Sequence, residues 1–391
     1  MANVILRRGA HKRIQGGHPW LFKTEVESIE GEYAAGDIVD VITGKGRFLG
    51  RGFINPRSQI IVRMLTDKQE EIDEAFFRKR IEAAWRYRKQ ILQEPEYCRL
   101  VFGEADFLPG LVVDKFGEYL VVQTLALGMD IRMDIILKIL DELIAPIGIY
   151  ERNDVRVREL EGLQQRTGYL KGDFSTLLTV YENGLPFFAD LAEGQKTGFF
   201  YDQRENRRTL APLIKDARVL DCFCHTGSFA IHAAKYGAKE VFASDISEAA
   251  VDIARKNVAI NEVENVVRLQ TANAFDLLRE LTEAREQFDV VILDPPAFAK
   301  TKGALEAAAR GYKEINLRGL RLVKNGGFLV TCSCSHHMDT ELFLAIVQDA
   351  AEDVGRKLRQ VEYLTQAKDH PILLVAPETK YLKFLIVQVN D

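Results

Sequence analysis

The second half of the chain alternates strand-like and helix-like segments, and this alternation limits the possible folds more than any other feature. From about residue 210, five short apolar runs are separated by amphipathic stretches; the runs are ARVLDCF, EVFASDI, VVRLQTA, FDVVILD and GFLVTCS. Strands joined in this way by helices form a parallel sheet with right-handed crossovers. The sequence therefore predicts an α/β, doubly wound domain. Its last stretch, PILLVAPETKYLKFLIVQV, is predicted to form two strands around a turn.

The first half of the chain has a different pattern. Residues 36–65 contain three β-rich runs separated by Gly, Asn and Pro, which is typical of a small β barrel. Residues 70–93 change to helical spacing and predict a connecting helix, and residues 99–125 predict a hairpin around a Phe-Gly-Glu turn. A further helix and further strands follow. We expect three domains, at residues 1–68, 69–185 and 186–391.

Length and composition limit the class of protein. The chain has 391 residues, 47% of them hydrophobic and 28% charged, which is too long for one ordinary core. No apolar run is long enough to span a bilayer, and the N-terminal sequence MANVILRRGAHKR has charges where a signal peptide needs an apolar core. Five cysteines in such a chain indicate free thiols in a reducing compartment. We therefore expect a cytoplasmic protein.

The charge is spread unevenly along the chain. The net charge is −5, but residues 1–68 hold 11 Lys and Arg against 7 Asp and Glu, so this segment is at +4 and the remainder at −9. A basic N-terminal module on an acidic body is compatible with a small phosphate-binding surface. On charge alone, an ordinary mixed surface is the favoured interpretation.

Polar residues follow four of the predicted strands, at the edge of the sheet where α/β proteins bind ligands. They are Asp221, Asp245, Asn273, which Ala274 follows, and Asp294. A carboxylate at the position of Asp245 suits a ribose diol. The first loop, DCFCHTGSF, lacks the G-x-G-x-x-G pattern and is a poor diphosphate cradle, although Gly227 permits a tight turn. The predicted ligand is a nucleoside without a diphosphate, such as S-adenosylmethionine, whose cationic groups suit an Asp-lined mouth. Alternatively, Asp221 and Asp245 only cap helices.

The fourth strand is followed by the motif ILDPPAF. Pro295 and Pro296 restrict the backbone and leave carbonyl groups without local partners, so the turn can hold a planar base. Phe298 could stack on that base. The alternative is a rigid turn with Phe298 in the core.

Residues 330–337, VTCSCSHH, follow the fifth strand and allow three interpretations: a metal site, a redox pair or a catalytic nucleophile. A metal site would need ligands from the first loop and would fill the space where cofactor and substrate meet, so we predict no metal. A disulfide across one residue is strained. Strand alternation places Cys332 and Cys334 on one face of the strand, with Cys334 nearer its end. The alternative for Cys332 is an inert buried thiol.

A thiol at this position has a known use in pyrimidine chemistry. It attacks carbon 6 of the ring, which makes carbon 5 nucleophilic enough to accept a methyl group, and a base then removes the carbon-5 proton. Asp294 could hydrogen-bond the pyrimidine edge or take part in proton transfer. His336 or His337 could assist, although surface histidines after a strand are commoner.

These motifs resemble those of the bacterial 23S rRNA large-subunit methyltransferase I family. GAHKRIQGGHPWLF resembles its PUA domain, and GEADFLPGLVVDKFGEYLVVQ resembles its central module. Five further segments resemble the methyltransferase motifs of that family: QKTGFFYDQRENRR, DCFCHTGSF, SDIS, DPPAF and SCS. The resemblance implies an S-adenosylmethionine-dependent enzyme that forms 5-methylcytosine in rRNA. It also implies an N-terminal β-barrel PUA domain, a small central α+β domain and a C-terminal class I (Rossmann-like) methyltransferase domain, and it is compatible with a homodimer.

The resemblance also implies roles for individual residues. In the family, the segment QKTGFFYDQRENR closes over the cofactor. The residues of this segment expected to line the cofactor or active site are Lys196, Thr197, Phe199, Asp202 and Arg204. The remaining predicted cofactor-binding residues are Asp221, Phe223, Thr226, Gly227, Asp245, Ile246, Asn273, Ala274 and Asp294. The predicted substrate-binding residues are Pro295, Pro296 and Phe298.

The cysteine within Ser-Cys-Ser is the nucleophile that the resemblance implies, which favours Cys334 as catalytic residue, with Asp294. Cys332 fits the Thr-Cys-Ser pattern of another RNA cytosine methyltransferase group. That group has a second cysteine after the proline of its fourth-strand motif, where this chain has Ala297. The difference favours a single-cysteine mechanism.

Three other functions are compatible with parts of the sequence. D-P-P-x-F motifs also occur in methyltransferases that act on guanine or adenine nitrogens and need no thiol. A non-catalytic RNA-binding assembly factor would have strong RNA affinity without turnover. A dinucleotide oxidoreductase is disfavoured by the missing glycine pattern.

Overall fold

The computed structural model describes residues 1–299 and 301–391, and these residues form two compact units. The first unit comprises Met1–Val180, Ala189–Tyr201 and Lys368–Thr379. The second unit comprises Tyr181–Phe188, Asp202–Ala367 and Lys380–Asp391. The predicted division into three domains stays a prediction.

The first unit begins with a six-stranded mixed sheet. Its elements are β1 (Asn3–Leu6), α1 (His11–Gln15), β2 (Trp20–Phe22), β3 (Val26–Glu30), β4 (Ile38–Thr43), β5 (Phe48–Ile54) and β6 (Ile60–Thr66). The strand order is β2-β6-β5-β4-β1-β3, with β1 and β4 parallel and the other neighbours antiparallel. Strands β4, β5 and β6 coincide with the three predicted β-rich runs. Alternate residues such as Val4, Val39 and Val62 are fully buried and form the core of this sheet.

A helix and a second sheet complete most of this unit. The elements are α2 (Glu74–Ile91), β7 (Tyr97–Phe102), β8 (Leu111–Phe116), β9 (Tyr119–Thr124), α3 (Leu127–Asp130), α4 (Met133–Ile144), β10 (Gly148–Asn153), α5 (Val157–Leu160) and β11 (Arg166–Lys171). The sheet order is β11-β10-β9-β8-β7. The Asp73 carboxylate caps α2 by accepting a hydrogen bond from the Phe76 amide at 2.9 Å. The predicted hairpin is confirmed, because β8 and β9 pair antiparallel with Phe116 opposite Tyr119.

The second unit is built on a seven-stranded sheet. A two-stranded sheet precedes it in the chain, formed by β12 (Leu177–Glu182) and β13 (Leu185–Asp190), of which residues 181–188 belong to this unit. The strands of the large sheet are β14 (Arg218–Cys222), β15 (Glu240–Asp245), β16 (Val267–Thr271), β17 (Phe288–Leu293), β18 (Val323–Ser333), β19 (Lys357–Leu364) and β20 (Lys383–Asn390). The helices are α6 (Arg204–Arg208), α7 (Ala211–Ile214), α8 (Ser228–Lys235), α9 (Glu248–Ile260), α10 (Ala274–Glu283), α11 (Leu305–Leu322) and α12 (Thr340–Asp353).

The order of this sheet is β16-β15-β14-β17-β18-β20-β19. Strands β14 to β18 are mutually parallel, whereas β20 is antiparallel to both of its neighbours. The predicted α/β architecture is confirmed. The chain order reverses between β14 and β17, and that reversal creates the crevice in which such folds bind ligands. None of the helices in the described part of the chain is long and apolar enough to cross a membrane.

One prediction about the C-terminus is wrong. Residues 371–375, the apolar run PILLV, do not form a strand, and they belong to the first unit. The antiparallel partners of β20 are β18 and β19, and both lie upstream of this run in the chain. The run is apolar without being fully buried, since Leu374 is 91% exposed and Val375 is 43% exposed. Strand β19 gives a weaker hydropathy signal because it is an edge strand with many exposed polar residues.

Candidate functional site

The loop after the central strand β14 has an unusual backbone. Phe223, His225 and Gly227 have φ values of 65°, 49° and 83°, all in the left-handed region. Such values are sparsely populated by non-glycine residues and often mark functional sites. A Cβ atom on Gly227 would also approach the Ala254 Cβ to 3.3 Å. The predicted tight turn at Gly227 is therefore present, and it starts α8 directly.

Asp221 is a buried acid near the end of β14. Its side chain is inaccessible to solvent, and neither carboxylate oxygen accepts a hydrogen bond from the residues that the structure describes. Burial raises the pKa of this carboxyl well above its usual range, and the neighbouring carboxylates of Asp294 and Asp245 raise it further. A buried polar group without a partner is unfavourable, so a cationic ligand would be stabilised beside it. The N-cap residue of α8, the helix that follows this strand, is Gly227 and not Asp221, so the capping alternative does not hold for Asp221 at that helix.

Asp245 joins the loops that follow two neighbouring strands. Its Oδ1 accepts a hydrogen bond from the Ser247 amide and its Oδ2 accepts one from the His225 amide, both at 2.9 Å. The side chain that caps α9 is that of Ser247. Each carboxylate oxygen has capacity for a second hydrogen bond, so Asp245 is fixed in place and can still accept ribose hydroxyls. The next residue, Ile246, is 69% exposed and offers an apolar surface beside that carboxylate.

The other predicted loop residues have local structural contacts. The Asn273 side chain caps α10 by accepting a hydrogen bond from the Phe275 amide at 2.9 Å, and Ala274 is a buried first residue of that helix. Thr226 is 6% exposed, and its carbonyl accepts a hydrogen bond from the Asn257 side chain at 2.9 Å. Their predicted part in cofactor binding stays a prediction.

Asp294 follows β17, and its neighbours fix its orientation. The Gln203 side-chain amide donates a hydrogen bond to Asp294 Oδ2 at 3.0 Å. The Asn206 side chain in turn donates to Gln203 Oε1 at 2.6 Å. Asp202 is buried and accepts a hydrogen bond from the Tyr381 hydroxyl at 2.5 Å. Sequence reasoning missed Gln203, although it lies between two predicted residues, Asp202 and Arg204; only its neighbours in the motif indicated it.

Three predicted residues of the segment QKTGFFYDQRENR lie in the first unit. The Thr197 hydroxyl is buried and donates to the Asp114 carboxylate. Phe199 is buried against Tyr201, with ring centroids 5.3 Å apart. The Lys196 ammonium lies 4.3 Å from the centroid of a neighbouring aromatic ring, that of Phe200. Their predicted contact with the cofactor stays a prediction.

The two cysteines of VTCSCSHH differ in environment. Cys332 lies within β18 and is fully buried; burial raises the pKa of its thiol well above the usual range, and the nearby Asp294 carboxylate raises it further. Cys334 lies one residue beyond the strand and is half-buried, with Sγ 3.9 Å from the Pro295 carbonyl oxygen. Cys334 is therefore the more accessible thiol, and it lies against the D-P-P turn.

The serines on either side of Cys334 anchor it to the domain interior. The Ser333 hydroxyl donates to the Tyr312 hydroxyl at 3.0 Å, and Tyr312 and Ser335 share a second hydroxyl contact at 3.1 Å. The Ala299 amide donates to Ser335 Oγ at 3.2 Å and so ties the end of DPPAF to the same network. Tyr312, on α11, is fully buried. The Ser-Cys-Ser pattern thus fixes the backbone around the thiol.

The predicted substrate-binding residues differ in their exposure to solvent. Pro295 is buried, whereas Pro296 is exposed. Phe298 is half-buried, with its ring centroid 4.7 Å from that of Tyr312 and 6.0 Å from that of Phe275. The ring is therefore held by packing, which fits the core alternative as well as a stacking role. His336 and His337 are exposed.

Residues 1–299 and 301–391 contain no group of three or more His, Cys, Asp or Glu side chains arranged to hold a metal ion. Cys222 and Cys224, the other cysteines near this edge, are buried, and burial raises the pKa of both thiols.

Comparison with known families agrees with this fold. A PUA-like domain model matches residues 4–67, and a model described as S-adenosylmethionine-dependent methyltransferase matches residues 161–385, more than half of the chain. The chain is therefore an S-adenosylmethionine-dependent methyltransferase with a PUA-like N-terminal domain, and S-adenosylmethionine is its cofactor.

Curated relatives define the family more narrowly. The chain is 44% identical to a protein of Alteromonas mediterranea over 100% of this chain and 99% of the relative. It is 42% identical to a protein of Aeromonas hydrophila over 100% of both chains. Both are named ribosomal RNA large subunit methyltransferase I, and the chain belongs to that family. The resemblance inferred from the motifs is confirmed.

Solved structures share the fold. A SAM-dependent methyltransferase from Streptococcus mutans matches 99% of this chain and 100% of its own with a TM-score of 0.85 at 18% identity. A second methyltransferase structure, complexed with SAH, matches the same shares with a TM-score of 0.87 at 19% identity. The predicted fold class is confirmed.

Proposed function

We propose that this protein methylates carbon 5 of a cytosine in the large-subunit rRNA, through a covalent bond between Cys334 and the base. The names of the curated relatives support large-subunit rRNA, expected to be 23S rRNA in bacteria, as the substrate class. The PUA-like match to residues 4–67 supports RNA as the partner. The observation that most supports the cytosine chemistry is the position of Cys334, half-buried beside the D-P-P turn.

The environment of the thiols favours one nucleophile over the other. A nucleophilic thiol must reach the base and must ionise. Cys332 is inaccessible to solvent, and its thiol pKa is raised by burial and by Asp294, so it stays a neutral thiol. Cys334 lies outside the strand on a backbone held by Ser333 and Ser335. It can therefore approach a base without movement of the sheet.

The chemistry assigns a task to each of these groups. The Cys334 thiolate adds to carbon 6 of the cytosine, and the ring electrons move to carbon 5. S-adenosylmethionine, when bound, supplies the electrophilic methyl group that carbon 5 accepts. A base then removes the carbon-5 proton, the carbon–sulfur bond breaks, its electrons return to Cys334, and the ring double bond is restored. Asp294, oriented by Gln203, is placed to bond the base edge or to take part in this proton transfer.

The acidic strand ends suit the cofactor. Asp245 would hold the ribose hydroxyls, since its carboxylate is fixed by two backbone amides. Asp221 would complement the cationic part of the cofactor, because it is a buried carboxyl without a hydrogen-bond partner in the described part of the chain. Ile246 would provide apolar contact beside Asp245.

RNA binding is assigned to both ends of the chain. Residues 1–68 have a charge balance of +4, since they hold 11 basic and 7 acidic residues, and they would make sequence-independent phosphate contacts. The methyltransferase domain would act on an unstacked cytosine, because carbon 5 and carbon 6 of a stacked base are inaccessible to a thiol.

A nucleoside mass analysis tests the reaction. Unmodified bacterial 23S rRNA is incubated with the protein and isotopically labelled S-adenosylmethionine, then digested to nucleosides. The proposal requires label in 5-methylcytidine. Label in a methylated purine would contradict the cytosine assignment. RNA binding without any transfer would indicate an assembly factor.

A further inference from the structure

We propose that Lys383 is a positioning residue for Cys334: it holds the turn that carries the thiol and stabilises the thiolate form. The inference rests on the proposed function, because it assigns a further group to the same nucleophile. The observation that supports it is that Lys383 is buried and its ammonium group donates a hydrogen bond to the Ser335 carbonyl, in the Ser-Cys-Ser turn.

The strand pairing brings these residues together. Lys383 is the first residue of β20 and lies opposite Ser333, the last residue of β18. Cys334 is the next residue after that pair. The Lys383 ammonium donates to the Ser335 carbonyl at 2.7 Å and to the Tyr381 carbonyl at 2.8 Å. Lys383 therefore ties the turn after β18 to the segment that leads into β20.

The buried position of Lys383 is energetically unfavourable for a charged side chain. The next residues of β20, Phe384 to Val387, are buried and apolar, and Lys383 itself is only 4% exposed. Burial of an ammonium group without an anion is strongly unfavourable. No ion pair joins Lys383 to a carboxylate within the described ranges 1–299 and 301–391. Its ammonium group donates to the two carbonyl groups instead.

The geometry points to Cys334 as the anion, because Lys383 lies opposite Ser333 and donates to Ser335, the two residues that flank Cys334. Burial lowers the pKa of Lys383 to about 8. Of the charged groups that face it, Cys334 and Asp339 raise this pKa and Lys380 lowers it. Two of the three ammonium hydrogens are used by carbonyl groups, which leaves one more donor. A cation beside a thiol favours the thiolate.

Protons balance in this arrangement. Lys383 stays protonated during the reaction, and the Cys334 proton is released to solvent before the thiolate adds to the base. When the carbon–sulfur bond breaks, the thiolate returns beside the same ammonium group. Lys383 therefore acts on the charge and place of the sulfur atom and does not contact the reacting carbons.

The ionisation of Cys334 can be measured without methyl transfer. The rate of iodoacetamide alkylation of Cys334 is followed against pH by peptide mass spectrometry in the full-length protein. We expect the wild-type thiol to titrate below the ordinary cysteine pKa of about 8.5. Lys383→Met removes the charge at similar volume and is expected to slow alkylation at pH 7 about tenfold, which corresponds to a one-unit rise in the thiol pKa. Lys383→Arg, which keeps the charge, is expected to retain most of the wild-type rate.

A matched control separates local from general charge effects. Lys380→Met removes an exposed lysine from the same segment and is expected to change the alkylation rate less than threefold, as for a solvent-screened charge. Binding of S-adenosylhomocysteine by calorimetry confirms that each variant is folded. If Lys383→Met does not fold, the wild-type profile still decides, because a Cys334 pKa at or above 8.5 overturns the inference.

The failure of this inference is distinguishable from that of the proposed function. A protein that makes 5-methylcytidine, but whose Cys334 titrates identically with and without the Lys383 charge, refutes only the role of Lys383. A protein that methylates a purine while Cys334 shows a Lys383-dependent low pKa refutes only the cytosine assignment.

Discussion

The Gln203 side-chain amide donates a hydrogen bond to Asp294 Oδ2 at 3.0 Å, and Gln203 is itself oriented by Asn206. The carboxylate that follows β17 therefore has a fixed direction. Removal of the donor in Gln203→Leu should leave Asp294 misplaced at the base. Since a hydrogen bond to a charged group is worth about 1.5–3 kcal/mol, we expect kcat/KM for methyl transfer to fall about tenfold to hundredfold.

The control for this variant is Gln348→Leu, at an exposed glutamine on α12 whose side chain donates a hydrogen bond to Glu352 at 3.1 Å. It should keep wild-type kinetics. Equal losses in both variants would show that the effect at Gln203 is not specific to Asp294.

The Asp245 carboxylate should determine cofactor affinity. In Asp245→Asn one oxygen becomes a donor, so the side chain can no longer accept hydrogen bonds from both backbone amides and both ribose hydroxyls. We expect the Kd for S-adenosylhomocysteine, measured by calorimetry, to rise about tenfold or more. Asp252→Asn, at an exposed position on α9, provides the matched substitution and should leave Kd unchanged. An unaltered Kd in Asp245→Asn would exclude Asp245 from the cofactor site.

Asp221 should make the stability of the ligand-free protein depend on pH. Its folded-state pKa is raised above the ordinary value of about 3.9, so the native state binds the proton more tightly than the unfolded state does. Between these two pKa values the free energy of unfolding falls as pH rises. Asp221→Asn removes the charge, so we expect it to gain stability relative to wild type as pH rises above about 4.

Urea unfolding of the two proteins without ligand, at several pH values, measures this difference. The same variant should bind S-adenosylhomocysteine and S-adenosylmethionine less tightly than wild type does. A stability difference that is constant with pH would show that Asp221 is ionised alike in the folded and unfolded states.

The Tyr312 hydroxyl should matter for both stability and rate, because it contacts the hydroxyls of Ser333 and Ser335 on either side of the nucleophile. We expect Tyr312→Phe to lower the free energy of unfolding by about 1–2 kcal/mol and to slow methyl transfer. Tyr363→Phe removes a similar hydroxyl, which contacts Thr340 at 2.8 Å. That control should lose stability without losing the methylation rate. If Tyr312→Phe methylates at the wild-type rate, the hydrogen bonds between Tyr312 and the two serines have a structural role only.

The elements that position the site could be predicted from sequence because their signals are local. The β-α alternation after residue 210 and the acids at strand ends such as Asp221 and Asp245 are each legible within about ten residues, and the structure confirms the strands. The strand prediction for PILLV failed for a physical reason. Leu374 is apolar and yet 91% exposed, so hydropathy alone predicted a strand where none forms.

The residues that orient the site could not be found in this way. Gln203 meets Asp294 across 91 positions, and Lys383 meets Ser335 across 48. Tyr312 lies 21 positions from Ser333 and joins it only because α11 packs beneath β18. Nothing in the local sequence of Lys383 or Tyr312 marks a functional residue. The pairing of β20 with β18 creates the Lys383 contact, whereas the position of α11 creates the Tyr312 contact.

The most direct test of the central claim is to trap the covalent bond between Cys334 and the base. Large-subunit rRNA containing 5-fluorocytidine is incubated with the protein and S-adenosylmethionine, and the adduct is located by peptide mass spectrometry. Fluorine at carbon 5 cannot be removed as a proton is, so the carbon–sulfur bond persists. We expect an adduct on Cys334 in the wild-type protein and in Cys332→Ala, and none in Cys334→Ala. An adduct on Cys332, or methyl transfer to cytosine carbon 5 by Cys334→Ala, would contradict the assignment of Cys334 as the nucleophile.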